Sequence, residues 1–167
     1  MSNITLEQLI DMEACEVGIR DLKPVLSCTW LEAAKVSTVD NILWYLDEMD
    51  LSEQQQVALC GFARKCALDV VPLWDAPEVV VRYLKCGRGR REALVATQHF
   101  IHTHLRNVVL HNAACAARAA IRADPYGHTG VECCIAYTQT ECILNLMPHL
   151  FRKQHKRLVK VIKRWER

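Results

Sequence analysis

LVATQHFIHTHLRNVVLHNAACAARAAI, residues 94–121, is the stretch that decides the fold class. Wound at about 3.6 residues per turn, it is apolar around most of its circumference, and such a helix belongs at the centre of a bundle. Its alanines, Ala113, Ala114, Ala116, Ala117, Ala119 and Ala120, permit close approach of neighbouring helices. The pattern predicts one helix over 90–122 and an all-α bundle packed around it. The stretch also holds four of the seven histidines, His99, His102, His104 and His111. On one continuous helix, His104, His111 and Cys115 fall within about 40° of each other, while His99 and His102 share another face. Zinc can take two ligands at i and i+4 from one helix. Only His111 and Cys115 have that spacing, and further ligands would have to come from His128, Cys133 or Cys134. The simpler expectation is histidines that bond carbonyls or face water, with no metal and no cofactor.

Outward from this stretch, helix signals dominate. They place helices near 5–17, 29–35, 38–49, 53–71, 77–86, 129–147 and 149–166. Thr5-Leu-Glu-Gln8, Thr29-Trp-Leu-Glu32, Ser52-Glu-Gln-Gln55 and Thr129-Gly-Val-Glu132 have capping-box spacing, in which a hydroxyl takes an amide that the first helical turn leaves free. Pro24, Pro72 and Pro148 should interrupt helices. Gly87 and Gly89 should end one, and DPYGHTG, 124–130, is a loop by composition. No convincing strand is present. The expectation is a single domain over 1–167, with acidic helices over 1–53, a helical core over 54–148 and a basic amphipathic helix over 149–167.

The start, MSNITLEQLIDMEAC, lacks a basic segment followed by an apolar run, and no stretch reaches the length of a membrane span. A cytoplasmic location in a bacterial cell is expected. Nine cysteines cannot all pair, and no Cys-x-x-Cys occurs. Most sit among Ala, Leu and Val, where a free cysteine behaves as a small apolar residue. Cys133 near a helix start, with His128 and Glu132, is the nearest approach to a thiol nucleophile, but adjacent cysteines point to different helix faces. Phosphate-loop, dinucleotide, zinc-protease and hydrolase-elbow fingerprints are all missing. The expectation is a non-enzymatic protein with no catalytic residues.

Charge is unevenly distributed. Residues 1–53 carry eleven acids against three bases, and residues 152–167 carry eight bases against one acid. In FRKQHKRLVKVIKRWER, 151–167, Leu158, Val161, Ile162 and Trp165 form an apolar stripe. Arg152, Lys153, Lys156, Arg157, Lys160, Lys163 and Arg164 cover the remainder. The stripe can dock on the bundle, leaving a solvated basic face. Alternatively, the basic face binds an acidic partner or nucleic acid, or the helix lies on a membrane or in a groove. Arg88, Arg90 and Arg91 in GRGRR form a second basic cluster. Glu13, Glu16, Asp47, Glu48 and Asp50 are the leading acidic contact residues, and such a surface could also imitate DNA. Opposed ends of this kind also allow self-association.

EACEVGIRDL (13–22) followed by NILWYL (41–46) resembles the opening of small helical proteins of bacteriophages and prophages. ARKCALDVVPLW (63–74), with HNAACAARAA (111–120), is similar to helical immunity proteins of bacterial toxin systems, although the basic tail departs from that pattern. The resemblance implies an accessory protein that binds and inhibits or neutralises a bacterial protein, such as a toxin or a host-defence enzyme. The alternative is a nucleic-acid-associated protein using 88–91 and the tail. A more distant one is a metal-dependent enzyme built on the 99–115 segment.

Overall fold

Hydroxyls begin the early helices. Thr5 Oγ1 accepts from the Gln8 amide at 3.2 Å while Gln8 Oε1 accepts from the Thr5 amide at 3.0 Å. Thr29 and Glu32 make the same reciprocal pair, at 3.3 and 2.8 Å. Thr38 accepts from the Asn41 amide, and Gln55 Oε1 takes both the N–H and the O–H of Ser52. Each bond satisfies a donor or acceptor that the helix itself leaves open. The computed structural model describes residues 3–23, 27–123 and 148–165. Within them lie α1 (Leu6–Asp11), α2 (Glu16–Leu22), α3 (Trp30–Val36), α4 (Val39–Asp47), α5 (Glu53–Val70), α6 (Glu78–Cys86), α7 (Arg90–Thr103), α8 (Val108–Arg122) and α9 (Pro148–Trp165). The protein is an all-α bundle. Among the described residues the only β-type pairing is an isolated bridge between Ile4 and Cys28. The 129–147 helix, the 124–130 loop, the Thr129 box and the His128, Cys133 and Cys134 group lie outside the described residues.

Two expected helices are each divided. The segment 5–17 breaks after Asp11, because Glu13 turns left-handed at φ 56° and the Ala14 amide returns to the Leu9 carbonyl at 2.9 Å. The chain restarts at Cys15, whose sulfur accepts from the Gly18 amide. More consequentially, 90–122 is two helices. His104 ends α7, and Asn107 starts α8, with its side-chain oxygen accepting from the Leu110 amide at 3.2 Å. The four-residue link reverses the chain, so α7 and α8 lie side by side as a hairpin.

The division sorts the stretch by environment. All six alanines of α8 are buried, and this helix packs against α5, α6 and α7. Leu59, Phe62, Ala63, Cys66, Ala67 and Val70 of α5 face it from the same core. Small side chains on α8 let the backbones approach, while the larger residues of α5 fill the volume. His99 and His102, in contrast, are on the exposed part of α7. The bundle therefore has an alanine-rich centre but not a histidine-rich one.

The amphipathic tail joins the bundle as well. Leu158 and Ile162 of α9 have no exposed surface, and the helix packs on α3 and α5. His155 donates its Nε2 proton to the Ala34 carbonyl at 2.7 Å. The apolar stripe docks on the bundle, with Leu158 and Ile162 buried and Val161 and Trp165 half-buried. Among the described residues no helix is long and apolar enough to cross a membrane.

Candidate functional site

The exposed side of α9 is built by helical spacing. Arg152, Lys153, Lys156, Arg157, Lys160, Lys163 and Arg164 occupy an arc of about 140°, and the run covers about 18 Å of helix axis. The opposite arc carries Leu150, Gln154, Leu158 and Ile162, all buried. Six of the seven cations are exposed; Arg157 is half-buried. A buried apolar stripe thus holds a row of ammonium and guanidinium groups toward water in a fixed register.

One carboxylate anchors this row to α5. Asp69 receives Lys153 Nζ at 2.8 Å and both terminal nitrogens of Arg157, at 2.5 and 3.2 Å. Its side chain is only 6% exposed, and a paired, bidentate guanidinium is what allows a carboxylate to be buried there. Arg157 also donates to the Lys65 carbonyl at 3.1 Å. These contacts run α9 antiparallel to α5, since Asp69 meets residues 153 and 157 while Lys65 meets 157. Arg157 is therefore a structural clasp more than a free contact residue.

Beside the clasp, the two helices part. Ala58, Gly61, Phe62 and Lys65 form an i, i+3, i+4, i+7 stripe of α5, and Arg157, Lys160, Val161 and Arg164 form the matching stripe of α9. Between them is a pocket of about 210 Å³. Its rim is cationic and its floor apolar, and among the described residues no carboxylate lines it. The sequence pointed to the α9 half. It did not point to Lys65 or Gly61, because nothing local says that α5 lies against a helix some 90 residues later.

The second basic cluster is divided between roles. Arg90 donates through Nε to the Ile121 carbonyl at 2.9 Å and through a terminal nitrogen to the Arg122 carbonyl at 2.8 Å. Tyr83 also donates to Ile121, at 3.4 Å. A helix leaves its last carbonyls unpaired and partially negative, so Arg90 caps α8. All three arginines of the 88–91 cluster are exposed, and Arg90 in addition caps α8.

The histidine trio is also corrected. His104 lies beyond the end of α7 and stacks on Phe100, with ring centroids 3.9 Å apart. Its Nδ1 lies 3.0 Å from the Phe100 carbonyl and 2.8 Å from Thr103 Oγ1, so that nitrogen is engaged at the end of α7. His111 and Cys115 are on α8, half-buried. Burial raises the Cys115 thiol pKa, which favours the neutral thiol over the thiolate a metal needs. Among the described residues no group of three His, Cys, Asp or Glu side chains is placed to hold a metal ion. His99 and His102 instead line an open groove with Leu94, Gln98, Arg118 and Arg122.

The acidic candidates remain at the surface. Glu13 is in the α1–α2 turn and Glu16 in the first turn of α2; Asp47, Glu48 and Asp50 cluster at the C-terminal end of α4. All five are exposed. A helix C-terminus is already partly negative, so these carboxylates add to the negative potential at the end of α4.

No protein-family model, curated protein or solved structure matches this chain.

Proposed function

We propose that the protein is a non-enzymatic binding protein that holds an acidic face of a protein partner against the exposed arc of α9. The observation that carries this reading is the row of Arg152, Lys153, Lys156, Lys160, Lys163 and Arg164, held exposed by a helix whose apolar side is buried. Matched charges of this kind steer encounter and fix register between proteins. The phage and immunity resemblance supplies the setting: a small helical protein that blocks a larger bacterial target, such as a toxin or host-defence enzyme. Such a task requires a shaped, charged surface and no catalytic constellation.

Nucleic acid fits the same face less well. The large apolar side chains most exposed among the described residues are all aliphatic, and the Trp44, Phe100 and Trp165 rings are half-buried against the core, which leaves little aromatic face for stacking bases. Half of α9 is embedded in the bundle, which limits how deeply it can enter a duplex groove. Arg90, part of the supporting cluster, is engaged in capping α8.

The test is affinity capture from nuclease-treated bacterial lysate with wild type and Lys156→Glu/Lys163→Glu. Both positions are exposed, so the variant should keep its circular dichroism and melting temperature. A protein captured by wild type and lost by the variant is the expected result, with affinity for the purified partner falling at least about tenfold. Capture of nucleic acid alone, abolished by nuclease, would overturn the reading in favour of the nucleic-acid alternative.

A further inference from the structure

The pocket between α5 and α9 contains a feature that packing does not explain. Gly61 stands in the interior of an 18-residue helix, where glycine is disfavoured relative to alanine. A glycine there is normally justified by a close neighbour or by a left-handed backbone. Neither applies: a Cβ built at Gly61 meets nothing within 4 Å, and its backbone is not among the positive-φ positions. What Gly61 does is leave the floor of the pocket open beside Phe62, which is 1% exposed.

The rim states what would fill it. Lys65 approaches from α5, and Lys160 and Arg164 from α9. Among the described residues none of these three side chains has an ion-pair partner, whereas Arg157 in the same wall is matched by Asp69. Three cations lining one small pocket from two walls suit a compact group with several charged oxygens. A phosphate carries about −1.5 to −2 charges near neutral pH and three strong acceptor oxygens, whereas a carboxylate carries one charge on two oxygens. The pocket's 210 Å³ is below the usual range of about 300–1,000 Å³ for drug-sized ligands, so it admits a phosphate or diphosphate but not a whole nucleotide.

We infer that the α5–α9 pocket is a binding site for a small phosphate-bearing anion, held by Lys65, Lys160 and Arg164 over the opening left by Gly61. This site shares Lys160 and Arg164 with the row that faces the acidic partner, but Lys156 and Lys163 do not line it, so the two readings can be tested apart.

Calorimetric titration and thermal melting of the full chain, with inorganic phosphate, inorganic diphosphate and glutarate at constant ionic strength, test the site. Diphosphate should bind saturably and at least about tenfold more tightly than glutarate. At about 100 times its Kd it should raise the melting temperature by about 5–10 °C. Gly61→Leu, which fills the opening, should weaken diphosphate binding at least about tenfold while the helical circular dichroism is retained. Lys160→Ser/Arg164→Ser should do the same without touching the core, so a misfolded Gly61→Leu does not leave the question open. Lys156→Glu/Lys163→Glu should retain saturable diphosphate binding even where it loses the protein partner. Absence of saturable binding, equal binding of glutarate, or undiminished binding by the Lys160/Arg164 variant would each overturn the assignment.

Discussion

Single atoms decide the sign of a glycine substitution in this fold. At Gly18 a Cβ would lie 2.5 Å from Tyr45 Oη, and Tyr45 is 1% exposed and cannot swing aside. Gly18→Ala should therefore destabilise the protein by about 1–3 kcal/mol through overpacking. Gly61→Ala puts the same methyl into open space and should stabilise by about 0.4–1 kcal/mol. Urea melts of the two variants, moving in opposite directions, check both. The buried thiols make a second residue-scale prediction. Burial raises the pKa of Cys28, Cys66 and Cys115 above the ordinary 9.0, most strongly at Cys66. A folded-state pKa above the unfolded one adds stability that is full below pH 9 and lost as pH rises beyond it, because only the unfolded chain then releases its protons. Stability should fall above pH 9 by up to about 1.4 kcal/mol per pH unit through the fully buried Cys66, and Cys66→Ala should flatten that limb. Denaturant midpoints measured across pH 8–10.5 read the slope.

At the scale of elements, α9 stays in place through two different forces. Burial of Leu158 and Ile162 supplies the non-directional part, and the Asp69 clasp sets the register against α5. Asp69→Asn keeps the shape but removes the charge that faces Lys153 and Arg157. It should cost about 1–3 kcal/mol, since a half-buried guanidinium is left without its carboxylate. Hydrogen exchange should then show earlier opening of α9 than of α8. The division of α7 from α8 belongs to this scale too. Its signal was in the sequence, because Asn is a favoured helix N-cap and Asn107 precedes Val108-Val109-Leu110. Apolar periodicity runs through the break on both sides and concealed it. Thr103 and His104 then close the end of α7 with bonds back to Phe100.

For the molecule as a whole, charge is arranged against a neutral core. Carboxylates gather at the α1–α2 turn and the end of α4, cations along α9, and the net charge is only +2. Partner binding through α9 should weaken as salt rises from 50 to 500 mM, mainly through a slower association rate, because exposed charges more than about 10 Å apart are screened at 0.1 M. Stopped-flow association with the captured partner measures this.

Local chemistry determined the helix content, most of the helix starts and the basic face of α9. Capping hydroxyls, helical apolar spacing and charge type act over a few residues, so they are legible in order along the chain. The tertiary structure alone decided that the alanine half of 94–121 is central and its histidine half exposed, that Arg90 and Arg157 are structural, and that Lys65 and Gly61 complete a pocket with Lys160 and Arg164. Each of these depends on which helix packs on which. That choice is made by burial summed over the whole core, and no short stretch of sequence carries it.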